Sequence, residues 1–230
     1  MVKKRKRHAR RLFKWSAILL GAAVVVSILL ILPLRWFEPA TTSFMLRDDS
    51  KPLQHEWTDW SEMSSSMPLA VVASEDQRFA DHFGVDLESI RKSLDESKRD
   101  GRLRGASTIS QQLAKNLFLS PSRSFLRKGL EAYLSVVIEI CLPKRRILEI
   151  YVNIVELGPG LYGVGAASRR YFGKTPATLT DTEAALLAAV LPNPIRMKVD
   201  APSPYVRKRQ GWIVGQIGRL RRESWLLRIQ

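Results

Sequence analysis

Residues 15–34 form an uncharged run, WSAILLGAAVVVSILLILPL, which constrains the fold more than any other feature of the chain. As an α-helix these twenty residues would be about 30 Å long, the thickness of the hydrocarbon core of a bilayer. A buried helix of a soluble protein normally keeps a polar face, and this run has none. A cleaved signal peptide has a shorter apolar core, of about 7–15 residues, and a small-residue cleavage site. The run therefore predicts an uncleaved membrane anchor.

Positive charge is concentrated directly before the apolar run. Eight of the first fourteen residues are lysine or arginine. Basic residues beside a membrane-spanning helix stay on the cytoplasmic side and also suit anionic lipid. We therefore expect residues 1–14 to be a basic cytoplasmic segment, residues 15–34 to cross the membrane once, and the chain from Arg35 onward to lie outside.

The whole chain carries 37 Lys and Arg against 22 Asp and Glu, a net charge of +15. This balance suggests an anionic partner, such as a phospholipid surface or a phosphorylated substrate. Nucleic acid would suit the charge as well, but the predicted topology puts the domain outside the cytoplasm. Cys141 is the single cysteine, so an intramolecular disulfide is excluded.

Helical patterns dominate the chain from Ser66 onward, separated by prolines and glycines. Residues 35–65 contain two prolines and only weak alternation, so they are predicted to be a connector with one short extended piece. Few segments have the pattern of a strand. We therefore predict a mainly α fold, with one domain at residues 66–230 behind the single N-terminal transmembrane helix.

Four clusters of polar residues stand out against this helical pattern, and the first is EDQRFADHFG. If the helix that begins at Ser66 continues through it, Glu75, Phe79 and His82 share one face. Asp76 adds a second carboxylate. A salt-bridged surface and a general base in a half-buried cleft both fit this arrangement.

The second cluster is GASTISQQLAKN, in which Ser107 is predicted to cap a helix. Thr108, Gln112 and Lys115 then fall on one face of that helix. A hydroxyl, an amide and an ammonium group suit sugar hydroxyls or phosphate oxygens. A solvated helix surface is the alternative.

The third cluster is RSFLRKGLE, in which Arg127 and Glu131 are four residues apart. A surface ion pair is the ordinary reading of this spacing, but the helix that follows is too apolar for a surface helix. In the fourth cluster, KRRILEIYVN, Glu149 is expected to pair with a lysine or arginine one turn away. Zinc-binding patterns such as CxxC and HExxH are absent from the sequence.

In this order and spacing, the segments EDQRFADHFG, GASTISQQLAKN, RKGLEA and KRRILEIYVN resemble glycosyltransferase family 51, the peptidoglycan glycosyltransferases. The resemblance runs from about Ser43 to the C-terminus. It implies a mostly helical, lysozyme-like fold and polymerisation of lipid II, a lipid-linked disaccharide-peptide, outside the bacterial inner membrane. No transpeptidase sequence follows within the 230 residues, so the chain resembles the monofunctional form of the family.

The resemblance also implies roles for particular residues. Glu75 matches the catalytic base, and Glu131 matches a second essential carboxylate. Lys115 and Arg123 match residues that contact the diphosphate of the donor. The other polar or aromatic residues of the first three clusters are expected to bind substrate: Asp76, Phe79, His82, Ser107, Thr108, Gln111, Gln112, Asn116, Arg127 and Lys128.

The resemblance implies inverting displacement, in which Glu75 takes a proton from the acceptor hydroxyl and the diphosphate leaves from the opposite face. The sequence establishes no cofactor, although a divalent cation, Mg²⁺ or Mn²⁺, could bridge diphosphate oxygens with Glu131. The expected partners are lipid II, the growing lipid-linked glycan, membrane phospholipid, and cell-wall synthesis and division proteins. Residues 116–128 mix apolar side chains with cations, so they are predicted to enter the membrane interface, with ordinary core packing as the alternative.

Two other functions fit parts of the sequence. A lysozyme-like lytic enzyme also uses a glutamic acid on a similar fold to cleave glycan, but it needs no cation cluster beside a lipid anchor. A non-enzymatic, membrane-anchored division scaffold would have no requirement for Glu75. Turnover of lipid II or of finished glycan separates these possibilities.

Overall fold

The computed structural model describes residues 2–50, 52–100, 107–122 and 124–230. Most of these residues are helical, which confirms the predicted mainly α fold. The α-helices are α1 (Val2–Ile31), α2 (Ser43–Arg47), α3 (Ser66–Glu75), α4 (Leu87–Asp100), α5 (Ile109–Phe118), α6 (Phe125–Cys141), α7 (Lys144–Ile154), α8 (Gly163–Phe172), α9 (Asp181–Val190) and α10 (Pro204–Arg222). The strands are β1 (Gln54–His55), β2 (Glu156–Gly158) and β3 (Leu161–Tyr162).

Most of the apolar run lies in α1, which packs against the domain near its C-terminal end. The segment Phe13–Arg35 has a mean hydropathy of 2.9 and is almost entirely exposed, so its length and composition suit a membrane span. The Tyr133 hydroxyl on α6 donates to Ser27 Oγ at 3.2 Å. Ile31 is fully buried in the core. The candidate anchor is therefore joined to the domain by packing as well as by the chain.

Two groups of helices form the core and meet at α3. The helices α3, α9 and α10 pack on one another, while α5 packs against both α6 and α7. α3 also contacts α7. Residues 66–73 of α3 are all buried, as expected for a helix that is apolar on every side. The C-terminal end of α3 therefore lies where the two groups of helices come together.

The strands form a small sheet in the order β1-β3-β2, with β3 parallel to β1 and antiparallel to β2. β1 lies in the predicted connector, and so does α2. The connector is also fixed at Thr58, whose backbone N–H donates to the Asn153 side chain at 2.8 Å and whose carbonyl accepts from it at 2.9 Å. Residues 35–65 thus contribute elements to the fold as well as linking it to α1. A two-residue strand is too short to give a recognisable alternating pattern.

The prediction that one helix carries Glu75, Phe79 and His82 on a single face is wrong. α3 ends at Glu75, and Asp76 has non-helical backbone angles, φ −160° and ψ 76°. The Asp76 carboxylate accepts a bond from the Ile109 backbone N–H at 3.0 Å and lies 2.9 Å from His82 Nε2. These bonds hold the backbone in a turn, because a short acidic side chain that bonds to nearby groups competes with continuation of the helix.

Candidate active site

Glu75 is the last residue of α3, and its half-buried carboxylate is surrounded by hydrogen-bond donors. Oε1 lies 2.9 Å from Ser74 Oγ and accepts from Arg209 Nη2 at 3.2 Å. Oε2 accepts from Gln112 Nε2 at 3.0 Å. These donors hold the carboxylate in a fixed orientation, which a general base requires.

Gln112 reaches Glu75 because α5 begins with a capping box. Thr108, and not the predicted Ser107, is the N-cap: its hydroxyl accepts from the Gln111 N–H, and the Gln111 side chain accepts from the Thr108 N–H. This start puts Gln112 one turn into the helix, facing α3. Its Oε1 accepts from the Tyr151 hydroxyl of α7 at 2.8 Å.

Arg209 on α10 is a site residue that the sequence interpretation did not identify. Its Nη2 contacts both Ser74 Oγ, at 2.7 Å, and Glu75. The signal was present, because the buried residues Val206 and Ile213 lie three residues before and four residues after it. This spacing puts Arg209 on the core-facing stripe of α10, where a cation requires a carboxylate partner.

A cluster of charges lies on the neighbouring helices α5 and α6. Arg127 Nη1 donates to Glu131 Oε2 at 2.6 Å, and Lys128 Nζ donates to Glu131 Oε1. The Glu131 side chain is only 4% exposed, so the ion pair with Arg127 forms as its spacing predicts, but it is buried and not at the surface. Lys128 also donates to Ser107 Oγ at 2.9 Å.

Lys115 belongs to the same charge cluster. Burial lowers the pKa of its ammonium group, the nearby Glu131 carboxylate raises it, and Arg127 and Lys128 lower it further. The ammonium lies 5.3 Å from the centre of the Phe44 ring, a cation–π distance. Lys115 is thus a partly desolvated cation beside two others, and an incoming anion would relieve their repulsion.

Glu75 and the charge cluster open onto the same cavity of about 280 Å³. Its lining combines the predicted residues with two apolar residues that had no predicted role: Glu75, Ser107, Gln112, Lys115, Arg127, Lys128, Glu131, Leu191 and Pro192. The predicted carboxylates Glu75 and Glu131 therefore face one space. A second cavity, of about 400 Å³, lies between the end of α3 and α4, and Glu75 and Ser107 line both cavities.

Three residues that were predicted to bind substrate are buried inside the protein. Phe79 is fully buried and Gln111 is 2% exposed within its capping box, so neither can contact a substrate. Asn116 is also buried. For Phe79 and Gln111 the structure shows a packing role and a capping role in place of the predicted substrate contact. A substrate contact from Asn116 stays a prediction.

Asp76, His82 and Thr108 likewise bond to the protein. Asp76 pairs with His82 and the start of α5, as described above, and Thr108 Oγ1 donates to the Gly84 carbonyl at 2.6 Å. Gly84 has φ +82°, and a Cβ there would lie 2.9 Å from the Ser135 backbone, so a glycine is required at this turn. Asp76 and Thr108 also line the cavity beside α4, so a substrate contact from them stays a prediction.

The fourth cluster is structural. Glu149 accepts from Arg146 Nη1 at 2.7 Å and from the Trp60 N–H at 2.8 Å, as the predicted ion pair requires. Lys144 pairs with the buried Glu139 at 2.7 Å and lies 4.4 Å from the Phe79 ring centre. The segment KRRILEIYVN therefore ties α7 to the connector and to the turn after Glu75.

Arg123, which was predicted to contact the diphosphate, lies outside the described residues.

The sequence also suggested a divalent cation at Glu131. The described residues contain no group of three or more His, Cys, Asp or Glu side chains that could hold a metal ion. Both oxygens of Glu131 already accept bonds from cations, so this donor set does not fit a divalent cation held by the protein at Glu131.

Comparison with known proteins identifies the family. The family model described as Transglycosylase matches residues 43–218. Proteins named biosynthetic peptidoglycan transglycosylase are similar to the chain: the one from Aeromonas hydrophila is 48% identical over 92% of this chain and 93% of its own length. The corresponding values are 46%, 93% and 94% for Shewanella oneidensis and 44%, 96% and 97% for Pseudomonas aeruginosa. The chain therefore belongs to the family of peptidoglycan transglycosylases.

Proposed function

We propose that the protein polymerises lipid II into β-1,4-linked glycan strands and releases undecaprenyl diphosphate. One observation carries this proposal: an ionisable carboxylate, Glu75, shares a cavity with the cations Lys115, Arg127 and Lys128. A base and a cluster of cations are the two requirements for displacing a diphosphate by a hydroxyl. The donor is the growing lipid-linked glycan, and the acceptor is lipid II.

In this reaction Glu75 acts as the general base. The 4-hydroxyl oxygen of the acceptor attacks the anomeric carbon of the donor, and its proton passes to the Glu75 carboxylate. The bond from the anomeric carbon to the diphosphate oxygen breaks at the opposite face, and the leaving group keeps the electron pair. An α-linked donor then gives a β-linked product.

The charge cluster acts on the leaving group. Negative charge grows on the diphosphate as its bond to the sugar breaks, and preorganised cations in a partly buried site stabilise that charge. Lys115 is the best placed for this, since burial leaves it without full solvation. Glu131 holds Arg127 and Lys128 in position, so its proposed role is to organise the cations.

We also propose that the domain lies outside the bacterial inner membrane with α6 beside the outer leaflet. The Tyr133 hydroxyl contacts Ser27, and Arg35, which follows the end of α1, contacts the Cys141 carbonyl at the end of α6, so α1 and α6 run in the same direction. Phe125 begins α6 eight residues before Tyr133. The start of α6 is therefore on the membrane-facing side of the contact between Tyr133 and Ser27.

Side chains at the start of α6 suit this position. Phe125 is 99% exposed and Leu126 is 77% exposed. Phe118, in contrast, packs against the core, and Leu117 is buried. Within residues 116–128, we therefore propose membrane contact only for the start of α6. The end of α5 packs in the core, which was the predicted alternative.

Changing Phe125 and Leu126 to Ser is expected to weaken binding of the domain to the lipid surface. For this test residues 1–34 remain in place. The hydrogen exchange of α6 is measured in liposomes and in detergent, and the two levels of protection are compared. Lipid-dependent protection should be lost in the double variant. The matched control, Leu227→Ser, removes an exposed leucine at the C-terminus and should keep it. Unchanged protection in the double variant would contradict the membrane contact.

Purified protein with labelled lipid II tests the proposed function. Polymer should form together with undecaprenyl diphosphate in equal number to the new glycosidic bonds, and the phosphoglycolipid moenomycin should block the reaction. The same protein should leave finished glycan intact. Cleavage of finished glycan would support the lytic alternative, and absence of any turnover would support a scaffold. Contacts with cell-wall synthesis and division proteins stay a prediction.

A further inference from the structure

The two oxygens of Glu75 are not equivalent. Oε1 faces a guanidinium group, from Arg209, and a hydroxyl, from Ser74. Oε2 accepts one bond, from the neutral amide of Gln112. A proton on Oε2 leaves Oε1 free to keep its bonds from Arg209 and Ser74, whereas a proton on Oε1 would compete with both donors. Oε2 is therefore the better acceptor of a proton, and it retains a free lone pair.

The direction of the Gln112 amide is fixed by Tyr151. The Tyr151 side chain is fully buried, and its hydroxyl donates to Gln112 Oε1 at 2.8 Å. Burial raises the pKa of Tyr151 well above its ordinary value, and Glu75 and Asp76 raise it further, so the hydroxyl stays protonated and donates. A donor on one side of the amide requires the NH₂ group to face Glu75, whereas a flipped amide would present its oxygen to the carboxylate.

We propose that Tyr151 is a positioning residue that acts through Gln112 to make Glu75 Oε2 the atom that receives the proton of the acceptor hydroxyl. This inference rests on the proposed function of Glu75. Tyr151 itself does not touch the substrate, since its side chain is fully buried in the core. The proton moves from the hydroxyl to Oε2 as the new glycosidic bond forms, and Tyr151 keeps its own proton throughout.

A double-mutant cycle tests this relay, meaning the action of Tyr151 on Glu75 through Gln112. Tyr151→Phe, Gln112→Met and the double variant are measured in the lipid II assay. Tyr151→Phe should lower kcat by about tenfold to a hundredfold, since a misoriented base costs that much, and leave KM within about twofold. In the Gln112→Met background, Tyr151→Phe should cause no further loss. Tyr162→Phe is the matched control, because the Tyr162 hydroxyl bonds to Asp48 away from the cavity, and it should keep the wild-type rate.

Thermal unfolding of the same proteins separates positioning from a purely structural role. Each single variant leaves a buried polar atom without its partner, whereas the double variant removes both partners and should recover stability. If Tyr151 served stability alone, activity would recover together with the melting temperature. The relay predicts that stability recovers and kcat remains at the level of Gln112→Met.

Gln112→Glu is a second test, which applies if the Tyr151→Phe protein does not fold. Glu keeps an acceptor for Tyr151 but removes the donor to Glu75, so kcat should fall at least as far as in Gln112→Met. A wild-type rate in Gln112→Glu would overturn the positioning role of Tyr151. So would an equal loss of kcat from Tyr151→Phe in the wild-type and Gln112→Met backgrounds. The proposed function fails by a different result, namely native turnover by Glu75→Gln. An inactive Glu75→Gln with a fully active Tyr151→Phe would overturn the relay alone.

Discussion

Glu75→Gln is expected to slow polymerisation of lipid II by about two to four orders of magnitude, the range that a positioned general base contributes. Gln has nearly the same shape, and its oxygen can still accept from Arg209 and from Ser74. Its amide cannot take up the proton of the acceptor hydroxyl at neutral pH. In addition, the amide NH₂ would meet the NH₂ group of Gln112, where the structure has a carboxylate oxygen. The loss should therefore appear in kcat.

The measurement is the initial rate of polymer formation at several lipid II concentrations, with the fold checked by circular dichroism. KM should change little, because the charge cluster that meets the diphosphate is intact. Glu56→Gln is a suitable control, since Glu56 forms an exposed ion pair with Arg169 and its loss should cost at most about 1 kcal/mol. A Glu75→Gln protein that polymerises at native speed would remove the base from the mechanism.

The site residues that lie in short motif-like segments were identified more readily than those that packing adds to the site. Glu75 and Lys115 lie in short segments whose residue types suggest chemistry, and the structure brings both to one cavity. Arg209 comes from α10, 134 residues away from Glu75. Only the packing of α10 on α3 brings the two side chains together. Leu191 and Pro192 reach the cavity in the same way, because they follow α9, which also packs on α3.

Local competition explains where the predicted helices were wrong. Periodicity favoured a helix through His82, but a periodic pattern does not register that Asp76 can bond to the first N–H of α5. Ser107 and Thr108 are both good N-caps, and sequence alone does not choose between them. The structure chooses Thr108, because its hydroxyl also reaches the Gly84 carbonyl. Tertiary contacts of this kind override preferences that are worth about 1 kcal/mol.

The depth of α6 beside α1 likewise depends on packing. The sequence of α6 predicts an apolar helix, and that of α1 predicts a membrane span. Neither pattern states which face of one helix meets the other. The contact between Ser27 and Tyr133 supplies the register that positions Phe125.

Glu131→Gln is expected to reduce both stability and polymerisation, with the larger effect on polymerisation. Glu131 is 3% exposed and both of its carboxylate oxygens bond to cations, so its removal leaves Arg127 and Lys128 without a carboxylate partner. Breaking a buried ion pair in this way costs about 3 kcal/mol or more. The freed cations should also leave the positions in which they meet the diphosphate. We expect kcat to fall by about two orders of magnitude, the effect of losing a preorganised electrostatic contact.

Glu139→Gln provides the matched comparison for Glu131, because Glu139 lies two turns further along α6 in an equally buried pair with Lys144. It should lower the melting temperature by a similar amount, yet the rate per folded molecule should stay close to wild type, since Glu139 does not line the cavity. Inorganic pyrophosphate should raise the melting temperature of Glu131→Gln more than that of the wild type, because the anion replaces the missing negative charge between the cations. Equal losses of rate in Glu131→Gln and Glu139→Gln would reduce Glu131 to a structural ion pair and leave Lys115 as the main described cation acting on the leaving group.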